Sequence, residues 1–451
     1  MSPKFRASVT IYENSGGGIG GLCFAVALSR FPNVRVDVYE AAAQFKEIGA
    51  GVMIWAKTWR ILQLLDLDKE ASKIAHAPPS SAPGKKNPYS SSRKKVITRV
   101  RRSDQPTEGI RFLLAEMPYG CIRFHRAEFL DIFIRRLPEG VAHFHKRVVS
   151  YKQETPNGPI QMYFDDQSTA ICDVLVGCDG IKSMVRAEMF RGLAEKTGQN
   201  EYLEVIEPIF SGTIAYRGLI PVHDMPTYTD GKPHRTIQSP MMYCGKNKHV
   251  VSYSISQGSV VNVVTFASDP SKEGTSYEGQ WVTEVSQQEL LDCYSPWEPE
   301  VESMLKCIHS PTRWAIHQLK PLPTYVDGRV ALLGDAAHAM TPHQGAGAGQ
   351  AIEDAYVLSE LLGSHLTTLD TLVEALKVYE DVRKPVASHV LLGSQNAGRL
   401  YEFNGPPADH YPALAECISK QWDWMWASTP EKDVEHALSL LQAKLNDSQT
   451  L

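Results

Sequence analysis

The chain has 451 residues, enough for two or three domains with sizeable cores, and its 22% charged and 43% apolar content is ordinary for a soluble protein. A formal net charge of -5 argues against any global attraction to nucleic acid, and no apolar stretch is long enough to span a bilayer. The eight cysteines (Cys23, Cys121, Cys172, Cys178, Cys244, Cys293, Cys307, Cys417) have no metal-ligand spacing and read as reduced thiols, and Met1-Ser2-Pro3-Lys4-Phe5 runs toward a strand rather than into an apolar leader, so a cytoplasmic protein is expected.

Val9-Thr10-Ile11 reads as the first strand. Gly16-Gly17-Gly18-Ile19-Gly20-Gly21 then satisfies Gly-x-Gly-x-x-Gly through Gly16, Gly18 and Gly21. Leu22, Ala25, Val26 and Leu28 recur at helical spacing, and Val34, Val36 and Val38 alternate as a second strand that ends at Glu40. Strand, glycine turn, helix, strand and acid together predict dinucleotide binding. The glycines allow a pyrophosphate close to a helix N-terminus, and Glu40 accepts hydrogen bonds from a ribose hydroxyl. Tyr12-Glu13-Asn14-Ser15 is polar where apolar residues are expected, which leaves the register of Gly16 open.

Residues 76–109 are rich in Pro, Ser and basic side chains, with Lys85, Lys86, Arg93, Lys94, Lys95, Arg99, Arg101 and Arg102. Tyr89 is the single aromatic residue among these charges, with no series of stacking aromatics, so a solvated basic loop over 85–102 is expected rather than a nucleic-acid site. Further on, the apolar run Val174–Cys178 leads into Asp179-Gly180, then Ser183 and Arg186. Either a ligand loop or a plain Asp-Gly turn with a surface arginine fits that pattern. Residues 190–325 carry strand-like runs at 212–220, 249–255 and 260–266, whose succession suggests a mainly antiparallel sheet. Residues 284–308 read as helical, with Leu290, Leu291, Met304 and Leu305 as core candidates.

The densest signal comes next. Val330–Leu333 reads as a buried strand, followed by Gly334-Asp335, then Pro342-His343, the run Gly345-Ala346-Gly347-Ala348-Gly349 and a helix. A strand ending in Gly-Asp puts a carboxylate at the carboxyl edge of a sheet, where open α/β sheets bind ligands. The glycines admit close backbone approach, and a helix starting near Gly345 supplies a positive field. A glycine-rich turn with no ligand is the alternative for this segment taken alone. Residues 355–395 read as helices. The tail beyond 396 carries Trp422, Trp424, Trp426, Leu438, Leu440 and Leu441, which suit packing or a homodimer contact.

These motifs, in this order over roughly residues 7–395, resemble the single-component FAD-dependent aromatic hydroxylases of the para-hydroxybenzoate hydroxylase superfamily, and within it the salicylate hydroxylase branch and its fungal relatives. The resemblance implies an α/β fold with a discontinuous Rossmann-like FAD-binding domain (1–189 and 326–395). The first part would carry a substrate-side segment near 76–120. An inserted, mainly antiparallel substrate domain would span 190–325 and a C-terminal helical tail 396–451. It also implies that Gly16, Gly18, Gly21 and Glu40 hold the ADP half of FAD. Asp335 and the Gly345, Ala346, Gly347 and Ala348 run would hold the ribityl and pyrophosphate, with Asp179 serving FAD and the passing nicotinamide. Glu47-Ile48-Gly49-Ala50-Gly51 matches a segment beside the flavin ring, and Arg126 a flavin-contacting arginine, although alone it reads as a surface salt bridge.

The implied reaction takes electrons from NADH or NADPH, forms a flavin C4a-hydroperoxide with O₂ and transfers oxygen to a phenolic aromatic acid. CO₂ is lost if the carboxyl-bearing carbon is attacked. Hydroxylation or dearomatisation of a polyketide-type phenol without CO₂ loss stays open, as do an FAD oxidase or dehydrogenase and a non-catalytic flavin protein. Catalytic candidates are Arg217 and Tyr253, matched to pocket residues of fungal relatives, together with Pro342 and His343. An arginine can pair with a carboxylate or phenolate at two points, and a tyrosine can donate to a phenolate. The alternatives are an inter-strand salt bridge for Arg217, a core aromatic for Tyr253 and loop positioning for His343. His338 is expected to brace the loop, and Pro342 to shape the backbone near the flavin through its fixed φ.

Overall fold

The computed structural model describes residues 4–11, 18–45, 51–76, 95–117, 120–155, 157–228 and 231–448. The irregular segment 12–15, Gly16, and Glu47 to Ala50 lie outside the described residues, as do Lys85, Lys86, Arg93 and Lys94.

Near-continuous apolar runs form strands buried on both faces, the pattern of a covered parallel sheet. Phe5–Ile11 pairs in parallel with Val34–Glu40 on one side and Val174–Cys178 on the other, and Val174–Cys178 pairs in parallel with Val330–Leu332. Ala142–His143 adds a parallel edge strand, and Val326–Asp327 closes the opposite edge antiparallel. Ile11 is in register with both Glu40 and Cys178, and Gly177 with Leu332, so four strands end at one edge. The helix Gly18–Leu28 packs over this sheet beside the helix Gly347–Gly363, which starts two residues later than the sequence suggested. A Cβ on Gly21 would lie 2.8 Å from Ile11 and 3.0 Å from Cys178, so this glycine sets how closely helix and strand ends approach.

A second sheet has eight strands, in the order Val282–Glu284, Thr312–Gln318, Ile209–Pro221, Val260–Ser268, Lys248–Ile255, Met241–Gly245, Lys95–Arg102 and Ile110–Met117. Every pair is antiparallel except Met241–Gly245 with Lys95–Arg102. The expected basic loop is therefore corrected over its described part, because Lys95–Arg102 is a strand. Val96, Ile97 and Val100 suit a pleated surface, and acids neutralise two of the cations. Arg101 is buried 2.9 Å from Glu298 and 3.6 Å from Glu300, and Arg102 lies 2.8 Å from Asp104.

Side chains alternate across this sheet. One face carries Tyr216, Met241, Tyr243, Val250, Val261 and Val263, packed against Leu290, Met304 and Leu305, with Leu291 partly buried at their margin. These leucines and methionines come from the helices Gln287–Cys293 and Pro299–Leu305. The other face carries Arg217, Asn262, Phe266, Tyr253 and His249, and it is turned toward the strand Gly51–Ile54 and the 341–345 segment. The tail packs on its own chain. Trp422 is buried 5.9 Å from Trp55, and Leu441 of the helix Pro430–Ser448 is buried in the main core. Among the described residues, no helix is long and apolar enough to cross a membrane.

Candidate cofactor and substrate site

The shared edge of the parallel strands gathers Glu40, Asp179, Gly334 and Asp335 with the N-termini of two long helices. Neither helix has an acidic residue in its first turn, so both present unopposed N–H groups and a positive field. That suits a pyrophosphate. Gly18 and Gly21 lie in the first of these helices, Gly347 and Ala348 open the second, and Ala346 precedes it as N-cap. Glu40 is buried, and its Oε1 accepts from the Ala42 amide at 2.7 Å.

Asp335 is half-buried. Burial raises its pKa, while His338, Arg126 and Arg186 pull it down, so the expected Asp335 and Arg126 share one electrostatic site. Arg186 is buried, and burial lowers its pKa to about 10. It donates to the carbonyls of Ile206 and Ala336, tying the Asp-Gly turn to the Asp335 loop. Asp179 caps the helix Met184–Thr197, accepting from Ser183 Oγ at 2.6 Å and from the amides of Met184 and Val185 at 2.7 and 3.1 Å. Arg186 is thus no surface arginine.

Behind Gly334 lies a buried charge network. His338 Nε2 is 2.5 Å from Asp354 Oδ2, which also accepts from the Gly334 amide at 3.2 Å. Arg383 bonds Asp354 at 2.8 Å, Glu353 at 3.1 Å and Gln350 at 2.7 Å. Lys57 joins Glu353 at 3.3 Å to Asp433 of the tail at 2.7 Å. Burial pushes the Asp354 carboxyl up, but His338 and Arg383 overcome it, and its pKa falls to about 2. This network holds the Gly334–His338 turn in place.

On the open face of the eight-stranded sheet, the Gly51 amide donates to Asn262 Oδ1 at 3.1 Å. A Cβ on Gly51 would meet the Tyr253 hydroxyl at 2.6 Å, so only glycine lets this backbone lie on the tyrosine. Burial raises Tyr253 to about 12, keeping it a neutral donor, with Arg217 close enough to oppose the shift. The Arg217 guanidinium sits 4.9 Å over the Trp314 ring. Gly345, at φ +60, follows Pro342–Gln344, and its carbonyl accepts from Trp55 Nε1 at 3.2 Å. This places the Gly345–Ala348 run beside the strand Gly51–Ile54.

His343 belongs to a different neighbourhood from Tyr253. Its ring lies 4.9 Å from Phe266 and 5.1 Å from His249. Tyr253 and His249 are four residues apart on one strand, about 13 Å. Arg217 and Tyr253 are thus brought together, His343 stands apart from them, and Pro342 is exposed. Burial lowers both His343 and His249 to about 3, so both rings are neutral at ordinary pH. Sequence reasoning missed His249, although it shares the alternation phase of Tyr253. It also missed Ser268 and Glu402, for which no local signal existed.

The FAD binding domain family matches residues 223–394. A salicylate hydroxylase from Pseudomonas putida is 36% identical over 433 residues, covering 94% of each chain. The chain belongs to the salicylate hydroxylase-like FAD-dependent monooxygenases. A 6-methylsalicylate 1-monooxygenase from Aspergillus terreus is 34% identical, covering 98% of this monooxygenase and 93% of the relative. A solved structure of a salicylate hydroxylase substrate complex superposes with a TM-score of 0.82 at 32% identity, covering 97% and 98% of the two chains. The oxidase and the non-catalytic alternatives give way to an FAD-dependent aromatic monooxygenase on these relatives.

Proposed function

We propose that this monooxygenase takes two electrons from NADH or NADPH and inserts one atom of O₂ into a phenolic aromatic acid. The other oxygen atom leaves as water. Attack at the carboxyl-bearing carbon releases CO₂. FAD, when bound, supplies the redox centre and the oxygen-activating chemistry.

The chain's own residues bind, orient and screen. The two helix N-termini take the pyrophosphate, Glu40 the ribose, and the Asp335–Arg126–Arg186 group the remainder of the cofactor chain. The observation that carries the substrate reading is the Arg217–Tyr253 pair beside Gly51. A fixed cation and a tyrosine kept protonated by burial form a two-point seat for a phenolate or carboxylate. Stabilising phenolate makes the ring more nucleophilic. Neutral His343, packed by Phe266 and His249, holds the loop before Gly345, and Pro342 fixes its entry.

The test is oxidation of NADH and of NADPH by the FAD-loaded protein across hydroxybenzoic acids, with product, labelled oxygen and CO₂ followed together. Substrate-stimulated oxidation with CO₂ release is expected. Hydroxylated product without CO₂ moves the assignment to a simple or dearomatising hydroxylase, and no stimulation by any phenol rejects the reading.

A further inference from the structure

The strand Ile122–His125 pairs antiparallel with Gly51–Ile54, with Met53 opposite Arg123 and Gly51 opposite His125. Side-chain alternation divides this two-stranded ribbon. Val52, Ile54, Ile122 and Phe124 enter the main core. On the other side, Met53 and Cys121 pack with Met242 and Val251 of the eight-stranded sheet, and Gly51 lies on Tyr253. Arg123 has the alternation phase of Cys121 and the cross-strand position of Met53, so it faces the open side of that sheet with them.

Arg123 is 7% exposed. Its Nε is buried with no hydrogen-bond partner, and among the described residues no carboxylate or carbonyl meets its guanidinium. The other buried arginines among those residues are all engaged. Glu298 holds Arg101, the carbonyls of Ile206 and Ala336 hold Arg186, the Leu369 carbonyl holds Arg329, and Asp354 holds Arg383. The groups beside Arg123 are neutral. Burial, and then the Arg123 charge, lowers the pKa of His76, whose backbone pairs with that of Arg123. Burial raises Tyr253 to about 12, opposed by Arg217 and by Arg123. A guanidinium keeps its charge under all conditions, and a buried charge without a counter-ion is costly. An anionic group of a ligand is its fitting partner.

We infer that Arg123 is a specificity-determining residue of the substrate site, whose guanidinium takes the carboxylate of the aromatic acid and leaves Arg217 and Tyr253 to the phenolic oxygen. The inference rests on the proposed function and divides its seat between two cations. Arg217 reaches Tyr253 from the sheet, and Arg123 reaches it from the ribbon that faces the sheet. An ortho-hydroxy acid carries one negative charge on its carboxylate and gains a second when the phenol ionises, so two fixed cations match the ionised substrate. An anionic edge of the cofactor is the other source of the same chemistry, and the experiment separates the two.

The experiment is calorimetric titration of the FAD-loaded enzyme with salicylate and with salicylamide, which keeps the ring and hydroxyl but has no charge. Wild type should bind salicylate roughly tenfold or more tightly than the amide. Arg123→Met should weaken salicylate by about thirtyfold or more and salicylamide by about threefold or less, and Arg123→Lys, which keeps the charge without the planar fork, should recover part of the loss. Ligand-free Arg123→Met should reach its urea midpoint at or above that of wild type, because it loses an unpaired buried cation. A clear fall in that midpoint, or equal weakening of both ligands, marks Arg123 as structural and overturns the inference. So does a loss of FAD affinity of about tenfold with salicylate binding unchanged, which assigns the cation to the cofactor. Should Arg123→Met fail to fold, Arg217→Met decides: salicylate must keep its lead over the amide there, and loss of the lead places the carboxylate on Arg217. Turnover of phenols, measured separately, tests the proposed function. Turnover with no preference for salicylate over the amide sinks only this inference, and Arg123-dependent salicylate binding without turnover sinks only the proposed reaction.

Discussion

Two buried histidine–carboxylate pairs in this protein behave in opposite ways. His338 and Asp354, beneath the Gly334 turn, are 2.5 Å apart, and the carboxyl pKa falls to about 2. His249 and Glu402, under the eight-stranded sheet, are 2.9 Å apart, and the carboxyl rises to about 7. Both pairs are fully or nearly fully buried. The difference is the third partner: Arg383 bonds Asp354, whereas among the described residues the side chains bonded to Glu402 are a serine hydroxyl and an imidazole, with no cation. Burial raises a carboxyl unless a fixed cation outweighs it. The first pair is built to hold a turn still, and the second keeps an acid that can change state.

The contrast breaks most sharply at Arg383. Replacing it with methionine leaves Asp354 buried without its guanidinium and Glu353 with Lys57 alone, and should cost about 3–5 kcal/mol. Urea unfolding followed by tryptophan fluorescence reads this, and a loss under about 1 kcal/mol would mean the network is not structural. FAD retention on gel filtration should fall with it, because Gly334 shares Asp354 with that arginine.

Supplying the missing cation is the converse change. Ser268→Lys puts an ammonium beside Glu402 and should drop its pKa below the usual carboxylate range. Urea unfolding of this variant across about pH 5 to 8 should then lose the stability slope that the raised carboxyl gives the wild type. An unchanged slope would mean that Glu402 is not the group responsible for it.

Asp433→Asn tests the tail's share of the first network. Lys57 keeps Glu353 at 3.3 Å, so a loss of only about 1 kcal/mol is expected by the same urea titration.

The smallest effect is a slope. Glu402 titrates from 4.5 in the unfolded chain to about 7 in the folded one, so its contribution is complete below about pH 4.5 and is lost as pH rises toward 7. His249 and His343, lowered from 6.5 to about 3, act oppositely: their contribution is present above 6.5 and is lost as pH falls. The difference between wild type and Glu402→Gln, measured across that window, isolates the carboxyl. Asp354 gives a control at the acid end, where its contribution disappears between 3.8 and about 2.

Much of the cofactor half was legible because its signals are local. Glycine turns after apolar runs, and an acid after an alternating strand, sit within a few residues of one another, and the described parts of these units form as read. The sheet half was legible in kind but not in membership. Lys95–Arg102 pairs with Met241–Gly245, some 140 residues away, through backbone groups that leave no mark on composition. Its charges looked solvated because their neutralising acids, Glu298 and Glu300, come from a distant helix start. Glu402 was invisible for the same reason. At the end of a long helix a glutamate is ordinary, and only the arrival of His249 and Ser268 from two other strands buries it. Arg217 and Tyr253 could be proposed together because each matches a pocket residue of the fungal relatives that the motifs resemble. That His343 stands a strand's length from them required the register.

The parallel sheet draws its central strands from residues 5–11, 174–178 and 330–332. A ribosome that has delivered the first 300 residues has therefore made most of the chain and none of the Gly334 turn. Until then Val174–Cys178 exposes an unpaired edge, and the second helix N-terminus does not exist. Capture of the flavin is accordingly a late event in biogenesis. Chains cut short in their last third would carry an apolar, half-finished sheet, which quality control or aggregation would claim before any cofactor could rescue it.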